Sequence, residues 1–325
     1  MRRVIPLLGL LLLLCACGTG PSASAPEDSR RLVIFTARSA AVYDDAVREF
    51  ERRTGIWVEV RTADGTLPLL EQIAAGDSGC DLLLGAAPDS LSAHGDCFAP
   101  YAAPLAADIP DAWRDSEDRW TPFALLPTVL IYNDQLVQRN VPDSWSSLTS
   151  SAWRGRIACP DPTVSATGCT ALEAMTQALD GEAEQVLADF VRCVGDVLPT
   201  AEDVVTAVAD GRCYVGVTTE DLAMQAAASG LSVTVIYPRE GAVVQPDCAA
   251  IIADCAHEDN ARAFIDFLLS GEVQERLTRQ CRRTVFIPPG DASLPHALAY
   301  DPYAAGAHQA ETLDIWSSLT AEETP

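Results

Sequence analysis

The chain has 325 residues, with 22 basic and 46 acidic side chains and a formal charge of −24. That acidity excludes a nucleic-acid surface, which needs a basic stripe, and disfavours docking on anionic lipid heads. Every basic residue is an arginine, so an anion has to be held by guanidinium groups, hydroxyls or backbone N–H groups.

The length supports a large core and more than one lobe. Residues 1 to 17, MRRVIPLLGLLLLLCAC, open on two arginines and run into leucines too few to span a bilayer. A charged start, an apolar centre and small residues after it read as a secretory signal. Its Leu14-Cys15-Ala16-Cys17 ending resembles a bacterial lipobox. That resemblance makes residues 1–16 the expected signal and Cys17 the expected lipidated residue. Residues 17–31, small and polar, become a tether outside the cytoplasmic membrane. The surface acidity is then a solubilising feature of an exported protein.

RLVIFTARS reads as a buried strand, Leu32 to Phe35, entering a polar turn. AAVYDDAVREFERRTG predicts an amphipathic helix with Val42, Ala46, Val47 and Phe50 on one face, stopped at Gly55. IWVEVRTADG predicts a strand alternating Ile56, Val58 and Val60. TLPLLEQIAAG predicts a helix ending at Gly76, and CDLLLGAAPDSLSAHG a strand, a turn and a short helix. A loop-rich stretch with Trp113 and Trp120 leads to FALLPTVLIYN, a further strand. RGRIACPDPTVSATGCTALEAMTQAL reads as strand, Pro-broken turn and helix. Helices are expected near 182–193 and 202–209, then the strands CYVGVTT, LSVTVIYP and QPDCAAIIADC. HEDNARAFIDFLLSGEVQERLTRQ is helical through most of its length, and a last helix is expected to end near Trp316. Strands alternating with helices predict an α/β fold on a mostly parallel sheet.

Five strings, in this order, carry a family resemblance. LVIFTARS with AVREFERRTGIWVEVR, then ADGTLPLLEQIAAGDSGCDLLLG, make an opening strand–helix–strand–helix–strand run. TVLIYNDQLVQRNVPDSWSSLTSSAWRGRIACPDPTVSATGCT adds an asparagine after an aromatic, a Pro-x-x-Trp and a Trp-x-Gly-x-Ile step into Asp-Pro. VVQPDCAAIIADCAHEDNARAFIDFLLSGEVQERL supplies the late strand and helix pair. Together they resemble the extracellular solute-binding proteins of ABC importers, in the branch typified by ferric-iron, organophosphonate and sugar-phosphate binders. The resemblance implies a type II periplasmic-binding-protein-like fold: two α/β lobes joined by two crossing strands, with ligand held in the cleft. Transferred here, residues 32–124 and 238–325 form lobe 1, and residues 125–237 lobe 2. It also implies a monomer that binds a small molecule and docks on a permease served by ATPase subunits, with no chemistry and no cofactor of its own. Membrane contact is through the N-terminal lipid alone. Two departures stand out. Ferric members place adjacent tyrosines where this chain reads VGVTTEDLAMQ, and the usual Pro-Asp-Gly is Pro246-Asp247-Cys248.

Two loops run into helix N-termini, around Gly65 and Thr66 and around Ser165 and Thr167. Such ends offer unpaired N–H groups and partial positive charge, so a pair facing one cleft would clamp a phosphate or phosphonate. Taken singly, these hydroxyls read equally as N-caps. Arg38 and Ser39 lie where the first strand ends, the ligand edge of an open α/β sheet. Glu220, Asp221 and Asp247 follow strand ends, where they are candidates to accept bonds from sugar hydroxyls or an amine, or to ligate ferric iron or another cation; they read also as solvated turn acids, Asp221 more so than Glu220 and Asp247. Arg282-Arg283 reads as a solvated face, and the four histidines as surface residues without metal-site spacing. No GxSxG elbow, HExxH or phosphate-cradling GxxxxGK[ST] is present.

Nine cysteines follow Cys17, none in a CxxC pair. Outside the membrane disulfides are the default, and a bond between lobes would oppose cleft closure. The expected pairs are Cys80–Cys97, Cys159–Cys169, Cys193–Cys213 and Cys255–Cys281. Cys248 is left as a thiol beside the cleft.

Overall fold

The chain alternates strand and helix through most of its length, as the hydrophobic spacing requires. The computed structural model describes residues 28–76 and 79–323. The signal, Cys17 and most of the tether lie outside the described residues. Of the expected tether, Asp28–Arg30 form one 3-10 turn and Arg31 opens the first strand.

In chain order the elements are β1 (Arg31–Thr36), α1 (Ala40–Thr54), β2 (Trp57–Thr62), α2 (Thr66–Ala74), β3 (Leu82–Ala86), α3 (Pro88–Ser92) and β4 (Phe98–Ala99). Next come β5 (Thr121–Tyr132), β6 (Ile157–Pro160), α4 (Ala166–Ala178), α5 (Ala183–Val191), β7 (Val194–Leu198), α6 (Ala201–Ala209), β8 (Val215–Thr219) and α7 (Glu220–Ala228). The chain closes with β9 (Thr234–Ile236), β10 (Val243–Ile252), α8 (Glu258–Leu268), α9 (Gly271–Arg279) and α10 (Pro302–Glu323).

The sheet order is β2-β1-β3-β10-β5-β8-β6-β7, with β4 added on β10 and β9 on β5. β1 pairs in parallel with β2 and β3, and β6 with β7 and β8. The middle is antiparallel: β10 against β3 and β5, and β5 against β8. The sheet is therefore parallel only in its two outer parts. The cause is that β5 and β10 are long, 12 and 10 residues, and cross in opposite directions between the lobes.

Each lobe buries both faces of its part of the sheet. Around β1, residues Leu32 and Ile34 join Phe50, Val58 and Phe264 on one face, while Phe35 joins Leu67, Leu70 and Leu83 on the other. In the second lobe Leu130, Ile157 and Val215 pack with Trp145 and Phe190, and Val129, Ile131 and Ala158 with Val204 and Val208. This is the period-2 alternation of a sheet covered on both sides. β5 feeds both cores, Phe123 and Leu125 in the first and Leu130 in the second. α10 also reaches both: Tyr303 near its start stacks on Trp120 at 6.2 Å, and Trp316 packs on Phe190 at 6.3 Å.

The expected disulfides are a correction. No disulfide is present among the described residues; Cys80, Cys97, Cys159, Cys169, Cys193, Cys213, Cys248, Cys255 and Cys281 are thiols. Two of the four expected pairs, Cys159–Cys169 and Cys193–Cys213, join residues that the fold places in different clusters. Cys193 and Cys213 pack in clusters on opposite faces of the sheet. Cys159 belongs to the cluster that holds Phe190, whereas Cys169 points its thiol at the Pro162 carbonyl, 2.9 Å away, in a different cluster. The Cys80 thiol donates to the Leu82 carbonyl at 3.0 Å, and that of Cys193 to the Ser150 carbonyl at 3.2 Å. The left-handed backbone of Cys281, at φ 62°, follows α9. Burial pushes the Cys80 thiol up to about 12 and those of Cys213 and Cys255 up to about 11. It also raises Cys159, Cys169 and Cys248. Because the thiolate is the exchanging species, these groups resist oxidation. Peptide mapping of the folded protein, alkylated without reductant, should recover these cysteines as thiols; a Cys159–Cys169 or Cys193–Cys213 peptide would contradict the fold.

Candidate functional site

The carboxyl ends of β1, β2, β6, β7 and β8 each lead, within a few residues, into a helix. In an open α/β sheet that edge is where ligands bind. The residues before those helices are Ser39 for α1, Gly65 for α2, Ser165 for α4, Thr200 for α6 and Thr219 for α7. All five line one cavity of about 90 Å³. Five helix N-termini, drawn from both lobes, therefore face a single space. Each brings unpaired N–H groups and roughly half a positive charge.

Arg38, Ser39, Gly65, Thr66, Ser165 and Thr167, expected from the sequence, line this cavity together. Neither Ser39 nor Ser165 spends its hydroxyl on capping its own helix. Thr200 does: it accepts from the Asp203 N–H at 3.0 Å. Asp64 and Glu202 stand exposed at the rim.

Glu220 and Asp247 do not line the cavity; arginines hold them. Arg283 donates to both oxygens of Glu220, at 2.6 and 2.7 Å, and Tyr237 donates to the same carboxylate. Burial and that carboxylate push the Tyr237 hydroxyl up to about 12. Asp247, 1% exposed, accepts from Arg282 at 2.6 Å and from Arg38 at 2.7 Å. A register shift between Asp247 and Cys248 in β10 marks the bulge that carries this carboxylate.

Arg282 is 3% exposed, which overturns its reading as a solvated face. It lies between Asp247 and Asp221, the latter at 3.0 Å. Burial works against its charge, but the two carboxylates outweigh it and hold the guanidinium protonated. Arg38 is half-buried and has one carboxylate partner, and its Nε–H is buried with no partner. Gly85 makes room for it: a Cβ there would sit 2.6 Å from the Arg38 side chain. His257, expected at the surface, is mostly buried, with Nδ1 2.9 Å from Asp81.

The two lobes touch at the cavity mouth. The Leu67 N–H at the start of α2 reaches the Val164 carbonyl at 3.4 Å. A Cβ on Gly65 would lie 2.2 Å from that oxygen, so only glycine fits the closed cleft.

The sequence reading missed Thr200, Thr219 and Gly85. Thr200-Ala201-Glu202-Asp203 carries an N-terminal signature, an acidic residue three after a threonine, that marks a helix start. Thr219 and Gly85 had no local signal, since their roles come from residues distant in sequence.

Comparison with known proteins agrees with this architecture. Over residues 91–303 the chain matches the model of the family described as bacterial extracellular solute-binding protein. A probable ABC transporter periplasmic-binding protein, y4fP of Sinorhizobium fredii, is 25% identical over 224 residues, 66% of this chain and 63% of that relative's length. The chain thus spans less than two thirds of that relative. Among solved structures, the periplasmic binding protein AfuA of Actinobacillus pleuropneumoniae, with exogenous fructose-6-phosphate bound, superposes with a TM-score of 0.82. It is 19% identical, with 90% of this chain and 98% of that one covered. The apo ferric ion-binding protein A of Pasteurella haemolytica superposes at 0.75, with 15% identity over 91% and 99% of the two chains. At such identity these likenesses carry the fold, a type II periplasmic binding protein. With more than half of its length matched, the chain belongs to the bacterial extracellular solute-binding protein family.

Proposed function

We propose that this protein is the receptor of an ABC importer and captures a small solute bearing a phosphate or phosphonate group. The solute sits between the lobes, the lobes close on it, and the closed form docks on the permease and its ATPase subunits. A lipid on Cys17 tethers the receptor outside the cytoplasmic membrane. The reading assigns no chemistry to the receptor itself.

The observation that carries this reading is the convergence of five helix N-termini and Arg38 on one cavity. In a chain without lysine, such ends supply the donors that an oxyanion needs. The fructose-6-phosphate bound to the AfuA structure is in line with it. The carboxylates that the sequence offers to ferric iron are Glu220 and Asp247. Both are already engaged by guanidinium groups that iron would have to displace.

Calorimetry with a panel of organophosphates and phosphonates is expected to find binding at micromolar Kd or tighter, about −8 kcal/mol or better. Changing Ser165 and Thr167 together to alanine should weaken it by about 1–3 kcal/mol, the range for lost bonds to a charged group. Binding of ferric iron with no response to any phosphate compound would contradict the reading.

Closure generates a second expectation. Gly65→Ala should keep the lobes from meeting at Val164, giving a larger radius in ligand-saturated X-ray scattering and at least about tenfold weaker binding. A variant that closes and binds like the wild type would show that the contact at Val164 does not govern closure.

A further inference from the structure

Beside the main cavity lies a smaller one of about 30 Å³. The two adjoin, for Arg38, Ala166, Thr167 and Thr219 line both. The annex is closed off by Thr128, Thr170 and Gln245, buried to 4%, 4% and 5% exposure, with Leu126 beside them.

Gln245 is the unusual member. Its Nε2 donates to Asp89 Oδ2 at 2.8 Å and approaches the Thr170 hydroxyl at 3.3 Å. Its Oε1 is buried and has no hydrogen-bond partner. The amide cannot be turned over to relieve this. Asp89 Oδ2 already accepts from the Thr170 and Tyr300 hydroxyls, at 2.9 and 2.8 Å, and a flipped amide would set oxygen against oxygen. The acceptor therefore stays in the annex wall. A buried acceptor without a donor is costly, and native structures seldom leave one.

We propose that the annex is a specificity subsite in which Gln245 Oε1 accepts a hydrogen bond from a hydroxyl of the ligand. This rests on the reading of the main cavity as a phosphate or phosphonate site. The annex has about 30 Å³ against about 90 Å³ for the main cavity, which suits a short arm bearing a hydroxyl. Arg38 lines it, and a guanidinium beside it disfavours an ammonium group. Leu126 offers an apolar wall to the carbon that carries the hydroxyl. The ligand class is thus narrowed to phosphates or phosphonates with a hydroxyl within a few bonds of the anion.

The test compares three probes by calorimetry on the full chain: ethylphosphonate, 2-hydroxyethylphosphonate and 2-aminoethylphosphonate. Wild type should bind the hydroxyl compound about tenfold or more tightly than ethylphosphonate, because the compound without a donor leaves the acceptor unsatisfied. In Gln245→Met the preference should largely vanish through loss of the hydroxyl compound's affinity, while ethylphosphonate binding holds. Equal binding of the ethyl and hydroxyethyl compounds by wild type overturns the annex, and this arm needs no variant to fold. So does a preference that survives Gln245→Met, or tightest binding of the amino compound. In each of those cases the main-cavity reading stands, because phosphonates still bind. Failure of every probe, and of inorganic phosphate, would instead remove the reading of the main cavity and the annex with it.

Discussion

The arrangement depends on one buried ionic cross-brace. Arg282 lies between Asp221 at the start of α7 and Asp247 on the crossing strand β10, and Asp247 also holds Arg38 after β1. Removing one member of such a network strands a charge in low dielectric, at about 3–5 kcal/mol. The network links three elements of the cleft and orients Arg38. It also ties up the buried carboxylates Asp221 and Asp247, so that on the proposed reading neither repels an anion from the cavity.

The site draws on backbone more than on side-chain charge. Each of the β1, β2, β6, β7 and β8 ends turns directly into a helix, so the parallel outer parts of the sheet aim five N-termini at one place. The antiparallel centre, made by β5 and β10, joins two such sets and allows them to approach. Closure brings the backbone of α2 onto Val164 with no room for a side chain at position 65. On the proposed reading, the ligand is gripped by main-chain dipoles whose positions are fixed by the cores of both lobes.

Much of this was legible in the sequence because it is local. The runs at Leu32–Phe35 and Leu82–Leu84 read as buried strands, and the spacing of Ala46, Val47 and Phe50 as a helix face. Ser165 and Thr167 were legible as lying at a helix N-terminus because a Pro-broken loop before an apolar helix marks one. What was not legible depends on distant pairing. Arg282 looked like half of a solvated pair, since nothing near it announces Asp221 or Asp247 as partners. β7 and α7 passed unnoticed: Val194–Leu198 alternates only weakly, and α7 opens on two acids read as ligand candidates. The Cys193–Cys213 pairing failed for the same reason, since spacing cannot say which face of a sheet a thiol occupies.

The most direct measurement is phosphorus-31 NMR of the small molecules released on denaturing protein purified, without prior unfolding, from cells that make it naturally. The account predicts a phosphorus-bearing organic solute in near-stoichiometric amount, lost from protein carrying Ser165→Ala and Thr167→Ala. Stoichiometric iron with no phosphorus signal would contradict it.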